Sequence, residues 1–254
     1  MERENTNNNT LGTITTGLNN LDEALGGFHD GELILLASRP AVGKTNLALN
    51  MVNHLAIGKG YPCLFLSMEH SKEQMEKWLA IMGGDETFET LYHIDGKANQ
   101  FIYLEDGYLN IDAGPELYKV IKKYKKEQNI QFVVIDYLQL YVRRKTEEQL
   151  LLRKLKALAV ELNIPIMVTS QLERSMEYGD GREPQLKDFD HRAYLRETPD
   201  VFIILTGNGY YDGEGEPPAS HDAELTVLKS PCGFNGIVKA TWVRDKLLFL
   251  DREE

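Results

Sequence analysis

The sequence predicts an α/β fold in which a mainly parallel central sheet is flanked by helices on both faces. Two observations lead to this expectation. Short apolar runs typical of buried strands alternate with segments of helical periodicity, which is the pattern of parallel sheets with crossover helices. The region from 223 to 250 instead alternates apolar and polar residues, which predicts antiparallel hairpin strands at one edge of the sheet.

Apolar runs define the predicted strands. Short runs of this kind, bounded by turn residues, are consistent with fully buried strands. The run at 33–37 has the clearest pattern and that at 101–104 the weakest. The predicted strands before the C-terminal hairpins cover residues 33–37, 63–66, 101–104, 132–135, 166–168 and 201–205.

Helical spacing and start signals define the predicted helices. Leu18, Leu21 and Leu25 recur at helical spacing, and a Gly-Gly pair stops that helix. A second helix follows the first buried strand and its loop. The remaining starts are Pro115 and two capping boxes, Ser71 with Gln74 and Thr146 with Gln149.

Length and composition limit the class of protein. A chain of 254 residues fits one large α/β domain, which we place at residues 13–252 after a disordered Asn/Thr-rich tail at 1–12. Lys plus Arg is 28 and Asp plus Glu is 39, so the net charge is −11 and any nucleic-acid contact must be local. The two cysteines suggest neither a disulfide framework nor zinc-ligand spacing. No signal peptide or membrane span is recognisable, which predicts a cytoplasmic protein with no membrane partner.

The loop after the first buried strand predicts a nucleotide-phosphate site. Backbone N–H groups between a strand and a helix can point at phosphates, with the lysine reaching the β- and γ-phosphates and the threonine hydroxyl binding Mg²⁺. The strict motif has glycine where this chain has serine, and an ordinary strand-to-helix turn is the alternative. The predicted cofactors are ATP and Mg²⁺, held by Ser38, Arg39, Pro40, Ala41, Val42, Gly43, Lys44 and Thr45.

Three further polar residues follow predicted strands and should meet the loop at the same edge of the sheet. Asp136 ends an apolar strand, as a magnesium-binding carboxylate does, or else it caps the next turn. Glu69 is the candidate base for hydrolysis, with a solvated glutamate near a helix start as the alternative. Gln171 is either a sensor of the γ-phosphate or an ordinary loop residue.

These motifs together resemble a known family. The strings SRPAVGKT, FLSMEHSKEQ, VVIDYLQL, LKALAVELNIPIMVTSQLER and LKSPCGFNG are similar to the C-terminal ATPase domain of DnaB-type replicative DNA helicases. The similarity extends from about Gly12 to about Asp251. It implies a RecA-like P-loop NTPase core, in which the first loop position is commonly not glycine.

The resemblance also implies residue roles and partners. It implies a hexameric ring that moves along single-stranded DNA using ATP. By resemblance Lys44 binds phosphate, Thr45 and Asp136 hold Mg²⁺, Glu69 is the catalytic carboxylate, and Gln171 couples the nucleotide to the DNA loops. Lys229 matches a lysine that reaches the neighbouring subunit's nucleotide, so Lys44, Glu69, Gln171 and Lys229 form the predicted catalytic set.

Several departures from the family pattern are visible. Pro231 stands where the pattern K-x-R-N-G has an arginine that acts on the neighbour's γ-phosphate, and Arg244 and Lys246 are replacements by position only. The segment that supplies a DNA-binding loop is short and keeps Arg143, Arg144 and Lys145, which either contact phosphates or form a solvated corner. The family's N-terminal domain and most of its linker helix are not present in this sequence, so we expect weak ring assembly. The family's DLRESG segment reads DFDHRA.

Two main functions follow from these features. The first is an ATP-hydrolysing DnaB-type helicase domain that translocates on single-stranded DNA in replication. The second is a low-turnover nucleotide-binding paralogue that acts as an assembly or regulatory module, as the proline suggests. A recombinase- or KaiC-like ATPase of the same fold is less favoured by the IDYLQL and SQL strings.

Overall fold

The computed structural model of the chain describes residues 13–83, 93–94, 97–98, 101–106, 114–142, 144–172, 185, 187, 189, 192–207 and 219–252. Thirteen strands are present among these residues. They are β1 (Thr13–Ile14), β2 (Phe28–His29), β3 (Leu33–Ser38), β4 (Cys63–Ser67), β5 (His93–Ile94), β6 (Lys97–Ala98), β7 (Ile102–Asp106), β8 (Phe132–Asp136), β9 (Ile166–Gln171), β10 (Val201–Gly207), β11 (Ser220–Lys229), β12 (Gly236–Val243) and β13 (Leu248–Asp251).

Six α-helices accompany the strands in the described part of the chain. The helix Lys44–Asn53 continues into a π-helical turn at His54–Gly58, and short 3₁₀ turns lie at Leu138–Tyr141 and Arg244–Lys246. No described helix is long and apolar enough to cross a membrane. The helices are α1 (Asn19–Leu25), α2 (Lys44–Asn53), α3 (Lys72–Met82), α4 (Gly114–Gln128), α5 (Lys145–Leu162) and α6 (Ala193–Glu197).

Nine of the described strands form one sheet in the order β13-β12-β11-β10-β3-β9-β8-β4-β7. In this order, the six neighbouring strands β10, β3, β9, β8, β4 and β7 are parallel to one another. The strands β11, β12 and β13 continue the sheet beyond β10 by antiparallel pairing. The predicted mainly parallel sheet with antiparallel strands at its C-terminal edge is therefore confirmed. The pairs β1–β2 and β5–β6 were not expected, because strands of two residues leave no periodic pattern to detect.

Helices cover both faces of the sheet, as the alternating pattern requires. Side chains of β3 alternate between the faces, so Ile34 and Leu36 join one core while Leu33 and Leu35 join the other. The first core packs against α1, α2 and α3, and the second packs against α4, α5 and α6. Every residue of β3 is buried, which explains its continuous apolar run.

The outermost strand of the antiparallel edge returns to the first helices. The Asp251 carboxylate accepts hydrogen bonds from the backbone N–H groups of Asn19 and Asn20, and so caps the start of α1. The Asn50 side chain on α2 donates to the Leu247 carbonyl and accepts from the Phe249 N–H. Strand β13 therefore binds two helices that precede it by almost the whole chain.

The predicted start of α3 at Ser71 is confirmed, with Ser71 as its N-cap. The Ser71 hydroxyl accepts from the Gln74 N–H at the start of α3. The box of Thr146 and Gln149 is wrong, because α5 begins at Lys145 and Arg144 is its N-cap. The Glu147 carboxylate accepts from the Arg144 N–H instead, which starts the helix two residues early. The predicted tail at 1–12 lies outside the described residues.

Phe65 tests the core of the sheet. It is fully buried in β4 between two parallel neighbours. Phe65→Ala should reduce the free energy of unfolding by about 3–5 kcal/mol, because the lost apolar contacts leave a cavity. Phe101→Ala is the matched control, since Phe101 is 39% exposed and should cost about 1 kcal/mol or less. Equal losses in denaturant melts of the two variants would contradict this packing.

Candidate functional site

The loop at 38–45 lies between the carboxyl end of β3 and the start of α2. Gly43, the residue before the helix, has a φ of 101°, a backbone conformation that favours glycine. A Cβ atom there would also lie 3.1 Å from the Phe249 ring. The first N–H groups of a helix lack intrahelical acceptors, so this turn presents donors suited to an anion.

The entrance of the loop is fixed by the neighbouring strand. The Ser38 carbonyl accepts a hydrogen bond of 2.8 Å from the Leu172 N–H at the end of β9. The Ser38 hydroxyl donates to the Arg39 carbonyl at 2.8 Å. Serine therefore stabilises the first turn of the loop through its own side chain, which glycine at this position could not do.

A buried carboxylate lies beside the loop. Asp136 at the end of β8 is fully buried, and its Oδ2 accepts from the Thr45 hydroxyl at 3.0 Å. Its Oδ1 accepts from the Thr169 hydroxyl on β9. A buried charge is costly unless it is paired and hydrogen-bonded. These two hydroxyls and the nearby Lys44 ammonium, 3.9 Å from Oδ1, meet that requirement.

Lys44 lies between two carboxylates. Its Nζ is 3.8 Å from Glu69 Oε2 as well as 3.9 Å from Asp136 Oδ1, and its side chain is 8% exposed. The ammonium also lies over the Tyr137 ring, 4.7 Å from the centroid. The predicted loop lysine, strand-end aspartate and candidate base therefore meet at one point.

Glu69 is held by the turn that follows β4. The Ser67 hydroxyl accepts from the backbone N–H groups of Glu69 and His70, at 3.3 and 3.0 Å. The Met68 N–H donates to the Asp136 carbonyl at 3.0 Å, which joins this turn to the end of β8. The Glu69 side chain is 39% exposed, so it is open to solvent while its backbone is fixed.

Gln171 lies at the end of β9, opposite Ser38 in the sheet register. Its backbone N–H donates to Gln139 Oε1 at 3.1 Å, and Gln139 Nε2 donates to the Ser170 hydroxyl at 2.9 Å. Sequence reasoning missed Gln139 and Thr169. Thr169 could have been recognised as a polar residue that follows the apolar run at the start of β9. Gln139 could have been recognised as part of the string IDYLQL, on which the family resemblance rests.

Lys229 lies away from the phosphate loop, at the opposite end of the strands. It pairs with Phe202 near the start of β10, whereas the loop follows the carboxyl end of β3. Its Nζ donates to the carbonyls of Arg196, Glu197 and Pro199, at distances of 3.2, 3.1 and 2.6 Å. Burial lowers the pKa of this ammonium, and the nearby Asp200 opposes that shift.

The turn after Lys229, which contains Pro231, lies at the same end of the strands as Lys229, far from the phosphate loop. Arg244 and Lys246 do not lie at that end. Pro231 is exposed in a turn closed by a hydrogen bond from the Gly233 N–H to the Ser230 carbonyl. Strand β12 is antiparallel to β11, so the turn Arg244–Lys246 that follows it lies at the end of the strands where the phosphate loop is found. Arg244 and Lys246, the candidates to replace the missing arginine, thus lie at the opposite end of the strands from Pro231.

Two lysines of the basic stretch on α4 make local contacts. Lys122 on α4 pairs with Glu161 at 2.7 Å, and Lys125 donates to the Ile130 carbonyl at 3.0 Å. Arg144 is an exposed N-cap residue. Arg143 and the side chain of Lys145 lie outside the described residues. In the altered DFDHRA segment, Phe189 and Arg192 are buried.

Comparisons with known proteins agree with the geometry. The family model for the DnaB-like helicase C terminal domain matches residues 13–251. The replicative DNA helicase DnaB of Leifsonia xyli is 28% identical over 90% of this chain and 54% of its own length. That of Rickettsia bellii is 32% identical over 84% and 49%. The chain thus spans about half the length of the curated relatives it matches.

Solved structures share the fold. The structure titled "ATPase Domain of G40P" has a TM-score of 0.75 at 23% identity, covering 96% of this chain and 94% of that one. A KaiC-like protein from Pyrococcus horikoshii has a TM-score of 0.68 at 18% identity, covering 95% and 99%. Both likenesses support a RecA-like core.

Lys229 allows a test of its local role. Lys229→Met keeps the aliphatic chain but removes three hydrogen bonds to carbonyls, and should lower the free energy of unfolding by about 1–3 kcal/mol. Lys239→Met, an exposed position on β12, is the matched control and should change it little. An unchanged melting temperature for Lys229→Met would rule out the stabilising role.

Proposed function

This chain belongs to the family of DnaB-like helicase C-terminal domains, and we propose that it binds and hydrolyses ATP with Mg²⁺ to drive translocation on single-stranded DNA during replication. The observation that carries the proposal is Lys44, whose ammonium lies between Glu69 and Asp136 at the start of α2. Such a constellation combines a phosphate-binding cation with two carboxylates of different exposure.

The loop and Asp136 would bind the nucleotide. Donors at the start of α2 would hold the phosphates, and Lys44 would turn from the two carboxylates to the β- and γ-phosphates. The donor set fits Mg²⁺, because the Thr45 hydroxyl and the Asp136 carboxylate offer oxygen ligands at adjacent positions. When bound, the ion would neutralise charge on the phosphates.

Glu69 is proposed as the residue that orients and deprotonates the attacking water. Asp136 is fully buried and committed to two hydroxyl donors, whereas Glu69 is open to solvent with its backbone fixed by Ser67. This difference assigns the two carboxylates different roles. Gln171, next to Ser38 in the sheet, is proposed to couple the nucleotide to the DNA-binding loops.

Lys229 and the ring are proposals from family membership. Lys229 lies at the opposite end of the strands from its own phosphate loop, which suits a residue that acts on a neighbouring subunit, whereas Arg244 and Lys246 lie at the same end as the loop. Lys229 would then have to leave the three carbonyls it binds. Single-stranded DNA and further copies of the chain in a hexameric ring are the proposed partners, and a cytoplasmic location stays a prediction.

A second candidate is a low-turnover paralogue that binds nucleotide and acts as an assembly or regulatory module. Pro231 favours it, because proline has no charge to offer a γ-phosphate where the family pattern has arginine. Arginine fingers are worth about 10³–10⁵ in rate, so their loss separates the two candidates clearly.

Substitutions at Lys44 and Glu69 test the proposed site. Lys44→Ala should abolish binding of a fluorescent ATP analogue, because the cation that contacts the phosphates is lost. Glu69→Gln should retain binding but lower hydrolysis by about 10²–10⁴-fold. Glu127→Gln, an exposed position on α4, is the control and should match the parent. Normal hydrolysis by Glu69→Gln would remove Glu69 from the mechanism.

The dependence of ATPase rate on protein concentration distinguishes the two candidates. A translocating ring should show a rate per chain that rises with concentration and with added single-stranded DNA. The paralogue should show a low, flat rate. Pro231→Arg should raise the parent rate only if a neighbouring subunit reaches the site. Light scattering run in parallel reports whether a ring has formed.

A further inference from the structure

His70 adds a nitrogen ligand beside the two carboxylates of the site. Glu69, His70 and Asp136 are a group whose potential ligand atoms lie within 4.8 Å of one another, and among the described residues they are the only such group. The distance between His70 Nε2 and Glu69 Oε2 is 3.8 Å. Nothing in the proposed ATP chemistry requires an imidazole here, because Mg²⁺ takes oxygen ligands.

The His70 and Glu69 atoms are spaced nearly as two ligands of one ion, and an Asp136 oxygen lies within 4.8 Å of both. Bonds of about 2.1 Å from a tetrahedral ion to nitrogen and oxygen ligands place those ligands about 3.4 Å apart. The observed 3.8 Å between His70 and Glu69 needs only a small side-chain rotation to reach that value. An imidazole with two carboxylates is a ligand set that suits zinc, cobalt and related ions better than magnesium.

The backbone that carries these ligands is already fixed. Ser67 accepts from the N–H groups of both Glu69 and His70, and the Met68 N–H donates to the Asp136 carbonyl. The His70 ring also packs edge-on against Trp78, with centroids 4.7 Å apart. Because the backbone and the His70 ring are held in this way, mainly the Glu69 side chain has to be ordered when an ion binds, which favours binding.

We propose that Glu69, His70 and Asp136 bind a divalent transition-metal ion in the nucleotide-free protein. This site differs from the proposed magnesium site because it needs no phosphate and uses His70 in place of Thr45. The two share Asp136, so the ions exclude each other. Lys44 opposes the transition metal, since its ammonium lies 3.8 and 3.9 Å from two of the ligands. Occupancy would withdraw Glu69 from hydrolysis, an effect that rests on the proposed function.

Co²⁺ is the probe for this site. Nucleotide-free protein carrying Cys232→Ser, which removes the exposed thiol, would be titrated at pH 8, where a free imidazole is neutral. Calorimetry and visible absorption should report one ion per chain, and Co²⁺ should raise the melting temperature. His70→Ala in this background should weaken binding by about 10-fold or more. His221→Ala, a histidine on β11, is the matched control and should bind as the parent does.

Lys44→Ala gives an outcome specific to this proposal. It should bind Co²⁺ more tightly than the parent, because a competing cation is removed, although it should lose ATP binding. Failure of the proposed function would leave the Co²⁺ result unchanged, and the reverse also holds. Equal Co²⁺ affinity in the parent and His70→Ala, or weaker binding by Lys44→Ala, would overturn the metal site.

Discussion

The buried carboxylate of Asp136 organises the functional edge of this protein. It ends the buried strand β8, and each of its oxygens accepts from a threonine hydroxyl on a different element. Because an unpaired charge at zero exposure would be costly, the loop helix and β9 must approach it together, and the position of Lys44 follows from that requirement. The turn that carries Glu69 is joined to the same strand end separately, by the hydrogen bond from the Met68 N–H to the Asp136 carbonyl.

The sequence predicted what depends on repeated or strongly local signals. Continuous apolar runs such as that of β3 mark strands buried on both faces, and Ser71 with Gln74 marks a helix start. The box at Thr146 failed because the Glu147 carboxylate accepts from the Arg144 N–H and starts the helix two residues earlier. Strands of two residues such as β1 carry no periodicity at all.

Contacts between distant segments were out of reach of sequence patterns. The positions of Lys44, Glu69 and Asp136 could be predicted because each follows a recognisable strand, and parallel strands end at one edge. The Gln139 side chain accepts from the Gln171 N–H, and Lys229 binds carbonyls at the end of α6 and just after it. Neither partner is marked by spacing or residue type. In the sequence, His70 is only the neighbour of Glu69, and its closeness to Asp136 follows from the turn after β4, which no sequence pattern predicted.

The return of β13 to the first helices has a consequence for synthesis on the ribosome. Asn19 and Asp251 are 232 positions apart, yet the Asp251 carboxylate caps α1 and the Phe249 ring lies against Gly43. At translation rates of about 5–20 residues per second, the start of α1 waits roughly 10 s or more for its cap. The phosphate loop is likewise made early and enclosed late. Helices α1 and α2 therefore emerge from the ribosome with an apolar surface that is still uncovered. Until β13 has been synthesised, this surface exposes the nascent chain to aggregation.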